Sequence, residues 1–304
     1  VYTMRRVSLL LLAVGLLVAC NDKDDYQPEK DPIYLADKIV ENILPVQGTH
    51  TMSITSEYKY RNTGIGLLEK MTVDTVATSK IPTSEFENSY DGSFPTKTVY
   101  KESGIQKSET VYNEYTQRGS IKKKTTTEVG KAYPIIEEYK YDGRLLSEYV
   151  KTKKTSSETT VYTIITYKFG LNEVNTETSV RTETVGYRPK TTVVATDKYV
   201  LNYNETVKEH TRTENGKTSI TTYTYDNKTN PRYLLFSYRM THPEFFLQEG
   251  YSRNNITKKT VKYPNISGQD YVEETTYEYF KNEYPQKAVV KRDGVIVGSK
   301  EFTY

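Results

Sequence analysis

Asn215 to Asn230 reads Asn-Gly-Lys-Thr-Ser-Ile-Thr-Thr-Tyr-Thr-Tyr-Asp-Asn-Lys-Thr-Asn, and this stretch with its near-copies constrains the fold more than any other feature of the chain. Extended backbone sends successive side chains to opposite faces, so Tyr223 and Tyr225 share one face while Thr222, Thr224 and Asp226 take the other. Asn215-Gly216 tolerates positive φ at both turn centres, which folds the preceding run, Thr206 to Glu214, back antiparallel onto it. The aromatic-x-aromatic signature recurs at Tyr58-Lys59-Tyr60, Tyr139-Lys140-Tyr141, Tyr167-Lys168-Phe169 and Tyr277-Glu278-Tyr279. Asp91-Gly92, Asp142-Gly143 and Asp293-Gly294 supply further tight turns, where Asp serves the turn rather than catalysis. The expected fold is all-β, an antiparallel hairpin meander. Tyr60, Tyr141, Tyr167, Tyr225 and Tyr279 are expected to face a common interior. A flat sheet would leave that aromatic face in water, so a strongly curved sheet or incomplete barrel is expected.

Twenty-nine Tyr without a Trp, and an apolar share of 36%, make any core thin and aromatic. No linker divides residues 31–304, which are expected to form a single β-repeat domain. One short N-terminal helix is expected at its start, over 31–45. Asp31 would cap it, Pro32 would take the first helical position, and Ala36, Ile39, Val40, Ile43 and Leu44 would form one stripe before Pro45 ends it.

Met4-Arg5-Arg6 followed by the apolar run Val7 to Val18 has the layout of a signal peptide, too short to span a bilayer stably. Leu17-Val18-Ala19-Cys20 resembles the lipobox of bacterial lipoproteins. That resemblance implies cleavage of residues 1–19, diacylation of Cys20, and a flexible tether over 20–30. The only Cys of the chain stands at that place, where it forms no disulfide. The membrane would then be a partner through the N-terminal lipid. Asn21-Asp22-Lys23-Asp24-Asp25 resembles the export signal of Bacteroidetes surface lipoproteins and implies an outer-membrane protein exposed on the cell surface; the alternative is a periplasm-facing body on a charged tether.

The hairpins at Tyr139 to Gly143 and Tyr223 to Asn227 resemble the YD repeat of Rhs-type proteins. They are also similar, more closely, to a Tyr- and Thr-rich domain of uncharacterised function in Bacteroidetes lipoproteins. The second resemblance runs in style over most of residues 48–304 and implies localisation and β architecture only. Asp74-Thr75-Val76 resembles a three-residue O-glycosylation motif of Bacteroidetes envelope proteins, which makes Thr75 the candidate acceptor.

The chemistry readable from the chain is mostly negative. His50, His210 and His242 are scattered, and none has a second His or Cys at metal-binding spacing. No nucleophile elbow, phosphate-cradling loop or dinucleotide fingerprint appears, so neither a cofactor nor a catalytic residue is expected. Loss of Arg5 and Arg6 lowers the formal charge of +3 by two, Lys and Glu alternate with Thr along the strands, and the short clusters Lys122-Lys123-Lys124 and Lys151-Thr152-Lys153-Lys154 read as solvated strand faces, so no nucleic-acid surface is expected. The expected function is therefore a lipid-anchored envelope lipoprotein with a non-enzymatic binding or structural role toward a glycan or an envelope protein. The alternatives are a carbohydrate-binding surface module and an envelope glycoside hydrolase, which would need two facing carboxylates. Residues 231–255 break the hairpin pattern with Tyr233-Leu234-Leu235-Phe236 and Glu244-Phe245-Phe246-Leu247. Tyr233, Phe236, Phe245 and Phe246 make this a candidate binding loop; the competing reading is a segment folded back over an open end of the sheet.

Overall fold

A computed structural model describes residues 35–44, 52–61, 67–77, 81–203, 206–234, 242–249 and 252–304. The signal, lipobox, tether and acidic stretch expected at residues 1–30 lie outside them, as do Asp31, Pro32 and Pro45. The described residues form eighteen strands: β1 (Lys38–Ile43), β2 (Met52–Arg61), β3 (Leu67–Val76), β4 (Ser84–Asp91), β5 (Phe94–Glu102), β6 (Ile105–Tyr115), β7 (Ile121–Glu128), β8 (Ile135–Asp142) and β9 (Leu145–Lys154). Then follow β10 (Thr159–Gly170), β11 (Glu173–Thr184), β12 (Lys190–Leu201), β13 (Val207–Glu214), β14 (Lys217–Thr229), β15 (Asn254–Lys262), β16 (Tyr271–Tyr279), β17 (Pro285–Arg292) and β18 (Val295–Thr303). Each strand pairs antiparallel with its neighbours in sequence, and β1 pairs with both β2 and β18, so the meander closes into a barrel.

Two expectations are corrected here. The sheet is neither open nor an incomplete barrel, because β1 supplies the closing strand, with Ile39 in register with Phe302 on one side and Ser56 on the other. The same segment replaces the expected helix. Ile39, Glu41 and Ile43 project inward by the strand period, and Ile39 is buried against Tyr58 and Phe302. Ile39 and Ile43, four residues apart, fit the helical stripe and the strand face equally well; two β-branched chains and two waiting strand edges decide for the strand.

Period-two alternation then sorts every strand into an outer and an inner face. Tyr223 is buried and Tyr225 half-buried on the inside of β14, while Thr222 and Thr224 are exposed. Tyr60, Tyr141, Tyr167 and Tyr279 also point inward, as the repeat implied. Asp226 departs from the face assigned to it beside Thr224: after a register shift it accepts hydrogen bonds from Tyr279 and from the Asn255 side chain. Asn215 and Gly216 adopt φ of 50° and 73°, the geometry of the expected tight turn between β13 and β14.

The outer face is polar. Cross-strand ion pairs cover it around the circumference, among them Lys38–Glu57, Lys97–Glu109, Lys123–Glu138, Lys198–Glu173, Lys258–Glu274 and Lys287–Glu301. Each such exposed pair contributes at most about 1 kcal/mol, but together they keep the barrel wetted on the outside. A lipid-facing barrel carries an apolar outer band roughly 25 Å tall, and a Lys or Arg at its midplane costs about 2–4 kcal/mol. The strands described here present no such band.

Candidate functional site: the barrel lumen

The aromatic-x-aromatic repeat has a structural job that its sequence only half reveals. In β2, β4, β6, β8, β14 and β16 the register shifts immediately before the last inward Tyr, between Lys59 and Tyr60, Ser89 and Tyr90, Glu114 and Tyr115, Lys140 and Tyr141, Thr224 and Tyr225, and Glu278 and Tyr279. A bulge re-aims the side chain that follows it. Five of the six hydroxyls then reach a backbone carbonyl about twenty residues back in the chain, while that of Tyr279 goes to the Asp226 carboxylate. Tyr60 donates to the Ala36 carbonyl at 2.9 Å, Tyr90 to that of Leu68 at 2.5 Å, Tyr141 to that of Ile121 at 2.7 Å and Tyr225 to that of Val207 at 2.7 Å. Tyr115 donates in the same way to the Pro95 carbonyl. Even-numbered strands of a meander run in the same direction, so all six bulges lie at one end of the barrel. Leu67, Leu68, Pro95, Ile121, Val174 and Pro285 pack there almost fully buried. Burial raises the pKa of the girdle tyrosines Tyr60, Tyr115, Tyr141 and Tyr225, so their hydroxyls stay protonated donors.

An eighteen-stranded barrel is too wide for its own wall side chains to fill. The connection between β14 and β15, which starts at this same end, fills part of the space. Two short 3-10 turns, Pro231–Leu234 and Pro243–Phe245, lie along it. Arg232 reaches Glu41 of β1 at 2.7 Å, Glu244 reaches Lys124 of β7 at 3.5 Å, and Glu249 accepts from Tyr223 of β14 at 2.8 Å. Leu247 joins the core formed by Tyr112, Ile121, Tyr139 and Tyr149, and Phe246 leans on Tyr167 and Phe169 of β10. Only a segment inside the barrel can touch inward-facing residues on strands this widely spread around the wall. Of the candidate binding loop, Tyr233 is half-buried, Phe246 is 41% exposed, Phe236 lies outside the described residues, and so does the side chain of Phe245. Thr75 of β3 stands half-buried in register with Ile54, on the inward series of Met71 and Val73.

Charged clusters line the lumen, which sequence reading missed because their members are far apart in the chain, Glu41 and Arg232 by 191 residues and Glu41 and Lys300 by more. Lys124 (3% exposed) lies 3.6 Å from Glu137 (13%) and 3.5 Å from Glu244 (7%), and Tyr149 donates to Glu137 at 2.6 Å. Burial raises the Glu244 pKa against the opposing pull of Lys124. Glu41 receives both Arg232 and Lys300, at 2.7 and 2.6 Å; burial pushes its carboxyl up, yet the two cations outweigh it and the net pKa is lowered. On the far wall, Asp197 accepts from His210 at 2.8 Å and from Arg212 at 3.1 Å, with the His210 ring stacked on Tyr199 at 4.3 Å. Among the described residues, no group of three His, Cys, Asp or Glu could hold a metal ion. Above the aromatic girdle lies a cavity of about 510 Å³, walled by β3 to β10 and by His242, Glu244 and Gln248 of the inserted connection.

No family model matches the chain, and no curated protein matches it. Among solved structures it is similar to a porin-like protein from Bacteroides uniformis, at 12% identity and a TM-score of 0.45 over 88% of this chain and 97% of that one. A porin-like protein from Bacteroides vulgatus stands at 13% identity and a TM-score of 0.42, over 88% and 98%. The closed barrel overturns the expected function. A lipid-anchored lipoprotein offering a curved aromatic sheet to a glycan or an envelope protein needs that sheet face in the open, whereas here the aromatic face is the lining of a closed tube.

Proposed function

We propose that the protein is a non-enzymatic barrel-shaped cup, standing in water beside the outer membrane and holding a small solute in its lumen. The observation that carries this reading is the contrast between the two barrel ends. The bulge-aimed tyrosines and the connection between β14 and β15 crowd one end, while the lumen toward the other carries polar and charged groups around a cavity of about 510 Å³, within the range typical of ligand sites. The charged outer face supports a barrel bathed in water rather than one threaded through lipid. A channel needs two open ends, and a cup needs one. Added to a planar bilayer, the exported protein should produce no discrete conductance steps, and it should stay monodisperse without detergent. Stepwise conductance would overturn the proposal in favour of a pore.

A further inference from the structure

The cavity of the proposed cup has a chemical bias that its general shape does not disclose. Lys124, Glu137 and Lys151 stand in register on β7, β8 and β9, so a cation, a carboxylate and a second cation follow one another across the wall. Glu137 and the incoming Glu244 both turn to Lys124. Lys151 also lines the cavity, and among the described residues no carboxylate lies within 4 Å of its ammonium. The neighbouring wall is aromatic and apolar: Phe86 and Tyr100 stack with ring centroids 4.9 Å apart, beside Leu68, Met71 and Ile165. Thr110 and Thr126, hydrogen-bonded to each other at 2.8 Å, add hydroxyls on the same face. The wall carries two carboxylates and two lysines, but Glu137 and Glu244 both pair with Lys124, which leaves the Lys151 ammonium as the cation open to a ligand. Beside a ring-lined apolar wall it favours a planar anion, whose charge pairs with the ammonium and whose body excludes water from the rings.

Resting on the reading of the lumen as a cup, we infer that this cavity binds a small aromatic carboxylate, with Lys151 as the residue that recognises its charge. Benzoate and its neutral isostere benzamide are suitable probes, titrated into the exported protein by calorimetry and followed by tyrosine fluorescence. Benzoate should bind at least about tenfold more tightly than benzamide, the scale of one charge-assisted hydrogen bond. Lys151→Met should abolish that preference, and Lys151→Arg should keep it, with both variants melting as the parent does. Equal binding of the two probes by the parent, or a benzoate preference that survives in Lys151→Met, would overturn the inference and leave the cup standing. The cup itself falls only to the conductance measurement.

Discussion

At the scale of single residues, the lumen wall is held by buried polar groups that satisfy one another, and Asp197 shows how this couples to pH. Its side chain is only 4% exposed. Burial pushes its pKa up, but the His210 hydrogen bond and the Arg212 charge outweigh burial, so the folded value lies below the ordinary 3.8. A carboxyl with a lowered folded pKa adds stability above its unfolded pKa and loses it as pH falls through the folded one. Urea unfolding midpoints should therefore drop as pH is taken from 5 to 3, and Asp197→Asn should be less stable at pH 7 yet lose less over that interval. An unchanged slope in the variant would remove Asp197 from the acid response. Residue reading from sequence succeeded where it needed only local geometry. The inward Tyr series and the Asn215-Gly216 turn follow from period two and from φ preference. Asp226 did not, because the register shift at Tyr225 reverses the parity that sequence counting assumes.

At the scale of elements, the connection between β14 and β15 decides what the lumen becomes. Its apolar composition marked it as exceptional, and folding back was one of the two readings open to it. Its anchors were not legible, since Glu244 meets Lys124 across 120 residues and no local pattern encodes such a pairing. The β1 segment failed for a different reason: a spacing of four satisfies both helix and strand, and only its barrel partners choose. The anchor predicts a double-mutant cycle. Lys124→Met leaves Glu137 and Glu244 buried without their cation, and removing one partner of a buried ion pair costs about 3–5 kcal/mol. Lys124→Met with Glu244→Leu should recover a large part of that loss, because the inserted turn then packs apolar against apolar near Leu247. Chemical denaturation of the parent, both single variants and the double variant measures the coupling; additive losses would show that Glu244 does not depend on Lys124.

At the scale of the whole molecule, closure rests on one seam joined by the two ends of the described chain. β1 and β18 meet only after the other sixteen strands have come round, so the pairing closes a loop of more than 250 residues, and such long-range pairing is slow to form. Gly298 sits in that seam opposite Ile43, and a Cβ there would lie 2.8 Å from the Asn42 carbonyl oxygen. The obstacle is backbone already paired on both sides, so β1 cannot give way without loosening its ladder. Gly298→Val should therefore part β18 from β1 while the hairpins elsewhere keep their pairing. Hydrogen exchange should quicken in Lys38–Ile43 and Val295–Thr303 and stay slow in β10 and β11. The freed strand edges offer unpaired N–H and C=O groups to other copies, so aggregation should rise with protein concentration. Thr303→Val, an outward change in the same strand, should do neither. Exchange in the seam that matches the parent in Gly298→Val would mean that the barrel closes without needing the close approach at Gly298.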